Sequence, residues 1–181
     1  MAKVPTYLAF LRAINLGPTR PFPKAAIIAA VEGLGFDGVT THINTGNVRF
    51  ASRMRSRARL EAALESAFHD DRGFAVPTMV FTTTEFAGIA AEGRALSAER
   101  PGIARHYVYL LKNEPSRDVV ARVEGTSNEK GEMIVRGRAA HALLQPGYQA
   151  GQVDPLNAAK LLEPATSRNL TVVSAIADKW C

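Results

Sequence analysis

The sequence predicts an α+β protein built from two βαββαβ-type subdomains in tandem, the second incomplete or altered. Short apolar runs alternate with segments whose apolar residues recur at helical spacing. These segments follow the order strand, helix, strand, strand, helix, strand in the first part of the chain, and the order recurs loosely in the second part. We therefore divide the chain into subdomains at residues 1–82 and 83–181.

The first half contains every element of this pattern. Thr45 and Gly46 separate two strands, and the glycine can supply the positive φ of a tight hairpin turn. Ser56 precedes an apolar helical stripe and is a suitable N-cap. The predicted strands are at 7–11, 39–44, 48–51 and 76–81, and the predicted helices are at 27–34 and 60–68.

The second half follows a connecting helix and repeats the order less completely. We assign the closing segment at 172–177 to a helix and not to a strand, so the repeat lacks its last strand. The connecting helix is at 84–92, the strands are at 106–111, 133–136 and 139–144, one further helix begins near 115–118, and another is at 155–162.

Composition places the chain among globular proteins. Hydrophobic residues make up 46% and charged residues 22% of its 181 residues, which differs from the composition of disordered chains. The single cysteine, Cys181, allows no intrachain disulfide and fits a reducing compartment. No apolar run approaches the roughly 18 residues of a membrane span, and the apolar stretch at 4–11 lacks a signal cleavage site. We therefore expect a cytoplasmic protein with no membrane partner.

The net charge of +5 favours acidic partners. The densest cationic feature is a run of four arginines at alternate positions, Arg53, Arg55, Arg57 and Arg59. This run predicts phosphate contacts, so nucleic-acid binding through the basic surface is one alternative function. The other interpretation is a solvated helix face whose arginines reach Glu61, Glu65 or Asp70.

Familiar cofactor and catalytic signatures are missing from the sequence. Residues 33–38 have the letters of a dinucleotide fingerprint, but they follow a helix and precede a strand, which reverses the required order. No serine-hydrolase elbow or phosphate-binding loop is present, although a catalytic triad assembled from distant residues stays open. The histidines are isolated and lack metal-ligand spacing: His42, His69, His106 and His141. We expect no cofactor and no metal, and whether the protein is an enzyme stays open.

Polar residues converge at one edge if the first half has the ferredoxin-like arrangement. The first two strands then run in the same direction, so the loop after the first strand and the hairpin after the second share an edge. Arg12 and Asn15 would face Asn44 and Asn47 there, a combination suited to a carboxylate or phosphate. The alternative is that both asparagine side chains satisfy the backbone of their loop and turn.

Three motifs carry a family resemblance. They are Leu-Arg-Ala-Ile-Asn-Leu-Gly at 11–17, Asn-Thr-Gly-Asn-Val at 44–48, and Ala-Thr-Ser-Arg-Asn at 165–169. In this order they resemble the bacterial family called domain of unknown function 1697, over nearly the whole chain. The resemblance implies ferredoxin-like halves and no established activity, substrate or catalytic residue. Ala13 stands where the family usually has Gly, Leu170 where it has Trp, and Asp154 where it has Lys or Ser.

These motifs fall largely on polar loop residues, where binding functions concentrate. We predict that Arg168 and Asn169 of the second half approach the edge of the first half that carries Arg12. The two halves would then form a cleft for a small polar or anionic ligand, in which Arg12 or Arg168 binds the anionic group. A polar latch that docks the halves is the alternative, and a protein-interaction or structural role is a third. The predicted ligand-binding residues are Arg12, Asn15, Asn44, Asn47, Arg168 and Asn169.

Overall fold

The computed structural model describes residues 3–147 and 154–181 of the chain. Over these residues the chain forms two four-stranded antiparallel sheets and five α-helices, which confirms the predicted α+β class. It divides into two compact units, Met1–Phe86 with Trp180–Cys181, and Ala87–Lys179.

The first unit has the six elements that the sequence predicts. The strand order in its sheet is β2-β3-β1-β4, and all neighbours are antiparallel. Ser56 caps α2, since its hydroxyl oxygen accepts the N–H of Arg59 at 3.3 Å, as predicted. The elements are β1 (Thr6–Leu11), α1 (Lys24–Glu32), β2 (Asp37–His42), β3 (Asn47–Ala51), α2 (Arg57–Arg72) and β4 (Thr78–Thr82).

The core of the first unit lies between the sheet and the two helices. Leu60, Leu64 and Phe68 recur every fourth residue of α2 and are fully buried, which confirms the predicted apolar stripe. Phe68 meets the ring of Phe22 edge to face at 5.2 Å between centroids. Apolar spacing alone therefore determines which face of α2 packs inward.

Two carboxylates on α2 bind the outer edge of β4. Glu65 Oε1 accepts the N–H of Thr78 at 2.9 Å, and Glu61 Oε1 accepts the N–H of Val80 at 3.0 Å. Four residues of a helix and two residues of a strand each span about 6 Å. The spacing of Glu61 and Glu65 along α2 therefore matches the spacing of Thr78 and Val80 along β4. Since β4 is an edge strand, these bonds satisfy N–H groups that no neighbouring strand pairs.

The second unit also contains a four-stranded antiparallel sheet. Its strand order is β6-β7-β5-β8. The division between the units falls within α3. The elements are α3 (Thr83–Ala98), β5 (Arg105–Leu111), α4 (Arg117–Glu124), β6 (Gly131–Arg136), β7 (Ala139–Leu144), a 3-10 turn (Ala159–Leu161), β8 (Ala165–Asn169) and α5 (Leu170–Trp180).

The predicted absence of a fourth strand in the second half is wrong. Residues Ala165–Asn169 form β8, which pairs with β5 from Leu111 to Tyr107. The sequence hides this strand because Ala-Thr-Ser-Arg-Asn has no apolar run, although Thr166 and Arg168 are buried. The closing helix that we predict at 172–177 is confirmed as α5.

The predicted helix at 155–162 is also wrong. Only the single 3-10 turn Ala159–Leu161 forms there. Asp154 and Asn157 have φ of 59° and 56°, in the left-handed region that a right-handed helix cannot contain. Asp154 Oδ1 instead accepts the N–H of Ala158 at 2.8 Å and of Ala159 at 3.1 Å. Thus Asp154 caps this turn.

Strand register brings two histidines to one buried face of the second sheet. His106 on β5 is paired with Leu143 on β7, and Val108 is paired with His141. Because side chains alternate along a strand and paired residues share a face, all four lie on the same side. Gly93 of α3 lies against this side, where an added Cβ would be 3.5 Å from Cε1 of His141.

Candidate functional site

The loop after β1 and the β2–β3 turn meet in the first unit, as predicted. The N–H of Leu11 donates to the carbonyl of Gly46 at 2.8 Å, and Nδ2 of Asn15 donates to the carbonyl of Asn44 at 2.9 Å. Arg12, half-buried, anchors the loop on its other side, where its N–H donates to the carbonyl of Pro77 at 2.9 Å. These contacts place Arg12, Asn15 and Asn44 at one edge.

The side-chain amides of Asn15 and Asn47 form hydrogen bonds with other groups of the protein. Asn15 Nδ2 also donates to the carbonyl of Phe22 at 3.2 Å, and its Oδ1 accepts the N–H of Phe22 at 2.8 Å. Asn47 is fully buried, and its Nδ2 donates to the carbonyl of His42 and to Oγ1 of Thr45, both at 2.9 Å. Both side chains therefore stabilise loop and turn backbone, and a ligand contact from them stays a prediction.

Ala13 occupies a left-handed backbone position in the same loop. Its φ is 57°, which glycine adopts without steric strain and alanine does not. This accounts for glycine at that position in the family pattern. The backbone conformation of the loop is thus compatible with the family residue.

The remaining predicted ligand residues lie in the second unit. Arg168 is 8% exposed, and its Nη1 donates to Oγ1 of Thr166 and to the carbonyl of Ser167, both at 2.8 Å. Burial lowers the pKa of Arg168 to about 10. Asn169 Oδ1 accepts the N–H of Thr171 at 2.9 Å at the start of α5. That these residues join Arg12 and Asn47 in one cleft stays a prediction.

The arginine run lies at and before the start of α2. Arg53, Arg55 and Arg59 are exposed, and Arg57 is half-buried with Nη1 4.0 Å from Oε1 of Glu61. The first turn of α2 contains no acidic residue. The run therefore presents a concentration of positive charge to solvent.

An open cavity of about 570 Å³ lies within the second unit. This volume falls in the range of small-molecule sites. Asn169 at the end of the third motif lines it, as do Leu170 and Thr171 at the start of α5. The other lining residues are Ser97, Ile103, Ala104, Arg105, His106, Ser174, Ala175 and Asp178.

Three side chains form a hydrogen-bonded chain that begins at this cavity. Ser97 Oγ is 2.7 Å from Nδ1 of His106, and Nε2 of His106 is 2.9 Å from Nδ1 of His141. Ser97 is half-buried, whereas His106 and His141 are buried. The prediction from residue spacing that the histidines are isolated is wrong for His106 and His141, because strand pairing and the last turn of α3 bring the three residues together. The signal in the sequence that could have indicated this contact is that His106 and His141 both fall in predicted strands.

The imidazoles of His106 and His141 are both uncharged at neutral pH. Burial, with a smaller contribution from the nearby Arg100 guanidinium, lowers the pKa of His106 to about 4. Burial, followed by His106 and Arg136, lowers the pKa of His141 to about 3. Each ring therefore has one N–H donor and one acceptor nitrogen.

An ion pair between α3 and α5 lies beside the cavity. Arg94 Nη2 donates to Oδ1 of Asp178 at 2.7 Å and to the carbonyl of Ser174 at 3.2 Å. Arg94 Nε donates to Oγ of Ser174 at 3.2 Å. This pairing balances the Asp178 carboxylate at the cavity wall, so a negative ligand does not meet an unpaired negative charge there.

Residues 3–147 and 154–181 contain neither a group of metal ligands nor a membrane-spanning helix. In these ranges no three His, Cys, Asp or Glu side chains are grouped so that they could hold a metal ion. No helix in the same ranges combines the length and apolar character needed to cross a membrane.

Comparisons with known proteins establish the family and the fold. No curated protein matches the chain. A conserved bacterial protein, SP0830 from Streptococcus pneumoniae, has a similar structure with a TM-score of 0.76 and 21% identity, covering 97% of this chain and 98% of that one. The model of the family described as "Protein of unknown function (DUF1697)" matches residues 4–141. The chain therefore belongs to this family of proteins of unknown function.

Proposed function

We propose that this protein binds a small polar or anionic molecule in the cavity of the second unit. The observation that carries the proposal is that a cavity of about 570 Å³ is lined by polar side chains from α3, β5, β8 and α5. Asn169 and Thr171 lie on one wall, and Ser97 and His106 lie on others. A concave site with a few convergent polar groups is typical of small-ligand binding.

The charges around the cavity favour an anionic group on the ligand. Arg105 lines the cavity and is exposed. The first turn of α5 also lines it and contains no acidic residue, so its positive dipole end is not neutralised locally. Arg94 already pairs with Asp178. A carboxylate or phosphate therefore has attractive partners at the cavity.

Filling the cavity will abolish ligand stabilisation. Ala175 is exposed and lines the cavity, so Ala175→Trp adds bulk there without entering the core. We expect members of a panel of phosphorylated and carboxylated metabolites to raise the wild-type melting temperature, because a ligand that binds only the native state stabilises it. Ala175→Trp removes the shift, and Arg105→Ala weakens binding about tenfold or more.

The matched control is Ala121→Trp, which adds the same bulk at an exposed position on α4. This variant should retain the full ligand-induced shift. A ligand that stabilises Ala175→Trp as strongly as the control would contradict binding in the cavity. If no member of the panel shifts the wild-type protein, the proposed ligand class is wrong.

The wider cleft predicted from the sequence stays a prediction. In it, Arg12, Asn15, Asn44 and Asn47 would contact the same ligand as Arg168. Arg12→Ala tests this extension, because it would weaken a ligand bound by both groups and leave a ligand of the cavity alone unaffected.

We also propose that both units have the ferredoxin-like fold. In its support, β2-β3-β1-β4 and β6-β7-β5-β8 are the same order when strands are numbered within each unit. In the first unit, α1 and α2 follow the first and third strands. In the second, α4 follows the first strand, and the 3-10 turn replaces the other helix.

Nucleic-acid binding is a second candidate function, supported by the exposed Arg53, Arg55 and Arg59. We expect the protein to bind generic DNA or RNA at low salt, with an affinity that falls steeply as salt rises. Replacing these three arginines by glutamine should weaken binding uniformly and reduce the salt slope. Fluorescence anisotropy at several salt concentrations measures both. Absence of binding at low salt excludes this function.

A further inference from the structure

We propose that Ser97 is an acylatable nucleophile, activated by His106 and positioned through His141, and that the cavity accepts small activated esters or thioesters. This inference rests on the cavity being the ligand site. It adds a reaction to the binding function proposed above.

The geometry is that of a nucleophile, a base and a residue that orients the base. Ser97 Oγ and His106 Nδ1 are 2.7 Å apart, and His106 Nε2 and His141 Nδ1 are 2.9 Å apart. Both distances fall within the hydrogen-bond range of serine nucleophiles and their bases. Ser97 and His106 also line the cavity, where a substrate carbonyl could reach the hydroxyl.

One placement of the protons along the hydrogen-bonded chain from Ser97 through His106 to His141 leaves His106 able to accept the proton of Ser97. When Nε2 of His106 carries the proton, it donates to Nδ1 of His141, and Nδ1 of His106 accepts the Ser97 hydroxyl. His141 then carries its own proton on Nε2. The orienting bond to His141 thus leaves the correct nitrogen of His106 as the base.

The surroundings of His141 disfavour transfer to it of the proton that His106 accepts from Ser97. Its Nε2 is buried and has no hydrogen-bond partner among the described residues. An imidazolium there would therefore be desolvated and only partly paired, which disfavours it. Gly93 leaves room for Leu170 and for the ring, since an added Cβ would lie 2.6 Å from Leu170 Cδ1 and 3.5 Å from Cε1 of His141. The developing charge consequently stays on His106.

The weak basicity of His106 limits the substrate class. Burial and the Arg100 guanidinium keep this imidazole neutral, so it is free to accept a proton at physiological pH. The same effects make it a poor proton acceptor. Leaving groups that depart without strong assistance, such as phenolates and thiolates, suit this base, whereas amides and alkyl esters do not.

The reaction balances without a further co-reactant. Ser97 Oγ attacks the acyl carbon, its proton passes to Nδ1 of His106, and the bond between the carbon and the leaving group breaks. The proton then passes to the departing phenolate or thiolate. In the second stage water gives one proton to His106 and its hydroxyl to the acyl carbon, and Ser97 recovers the proton from His106 as the bond to the acyl carbon breaks; the product leaves as a carboxylic acid, which then releases its own proton to solvent.

The cavity offers complementary surfaces for such an ester. Ile103, Leu170 and Ala175 supply apolar surface for the acyl chain. Asn169 lines the same cavity, and its Nδ2 carries N–H groups that can donate to the oxyanion that forms on the carbonyl oxygen.

A fluorophosphonate probe tests the nucleophile directly, with the adduct located by intact-mass and peptide mass spectrometry. We expect modification at Ser97 in the wild-type protein and none in Ser97→Ala. His106→Gln should slow labelling about 100-fold or more, since a positioned base contributes that much. Ser167→Ala, which changes an exposed serine outside the cavity, is the control and should label at the wild-type rate.

His141 is tested as a positioning residue by comparing two substitutions. His141→Gln retains an oxygen that can accept the N–H of His106, and His141→Leu has similar volume and no acceptor. We expect His141→Gln to keep most of the labelling rate and His141→Leu to lose about tenfold or more at an equal melting temperature. Equal rates would contradict the positioning role.

Two further measurements separate the possible failures. Ser97→Cys provides a second variant if Ser97→Ala does not fold, and its new thiol should react with iodoacetamide faster than exposed Cys181. If wild-type Ser97 is unlabelled while ligands still raise the melting temperature, the nucleophile is overturned and the binding function stands. If both labelling and ligand shifts are absent, both proposals are overturned.

Discussion

Lowering the pH from 7 to 5 will reduce the free energy of unfolding by about 4 kcal/mol, because two buried histidines resist protonation in the native state. His106 and His141 have native pKa values of about 4 and about 3, against 6.5 in the unfolded chain. At pH 7 both histidines are neutral in the native state and mostly neutral in the unfolded chain. At pH 5 the unfolded chain binds two protons that the native protein does not, and each contributes about 2 kcal/mol.

Urea unfolding at several pH values measures this loss. Stability should begin to fall near pH 6.5 and continue to fall until each native pKa is reached. The double variant His106→Gln and His141→Leu should show little change between pH 7 and pH 5. His69→Gln is the matched control, because His69 is exposed, and it should keep the wild-type slope. An undiminished slope in the double variant would show that other groups cause the loss.

The sequence predicts the elements of the fold wherever apolar spacing is strong. Leu60, Leu64 and Phe68 predict the buried face of α2, and Ser56 predicts where that helix begins. Prediction fails at β8, whose burial depends on what packs against polar residues such as Thr166 and Arg168. It also fails at 155–162, because the left-handed φ of Asn157 is a property of local backbone geometry that apolar spacing does not encode.

The candidate site could be predicted only in part from the sequence. The third motif contains Asn169, which lines the cavity, although its amide oxygen also caps α5. The chain from Ser97 through His106 to His141 could not be predicted from residue spacing. Its bonds depend on the pairing of β5 with β7 and on the position of α3, both of which are long-range properties.

Gly46→Ala will reduce the free energy of unfolding by about 3 kcal/mol, through two separate effects. Gly46 has a φ of 75°, where an alanine costs about 1–2 kcal/mol. In addition, the new Cβ would lie 2.7 Å from Cβ of Leu11 and 3.0 Å from Cδ1 of Ile14, both buried. Such overpacking typically costs a further 1–3 kcal/mol.

Gly35→Ala separates the two effects. Gly35 has the same φ of 75°, but an added Cβ there meets nothing within 4 Å. Its loss of stability should therefore reflect backbone strain alone, about 1–2 kcal/mol. Equal losses for the two variants would exclude steric overlap at Leu11 and Ile14. Because the N–H of Leu11 donates to the carbonyl of Gly46, amide hydrogen exchange at Leu11 should accelerate in Gly46→Ala beyond the increase in Gly35→Ala. That difference would show that the turn and the loop carrying Arg12 and Asn15 are held together by this close approach.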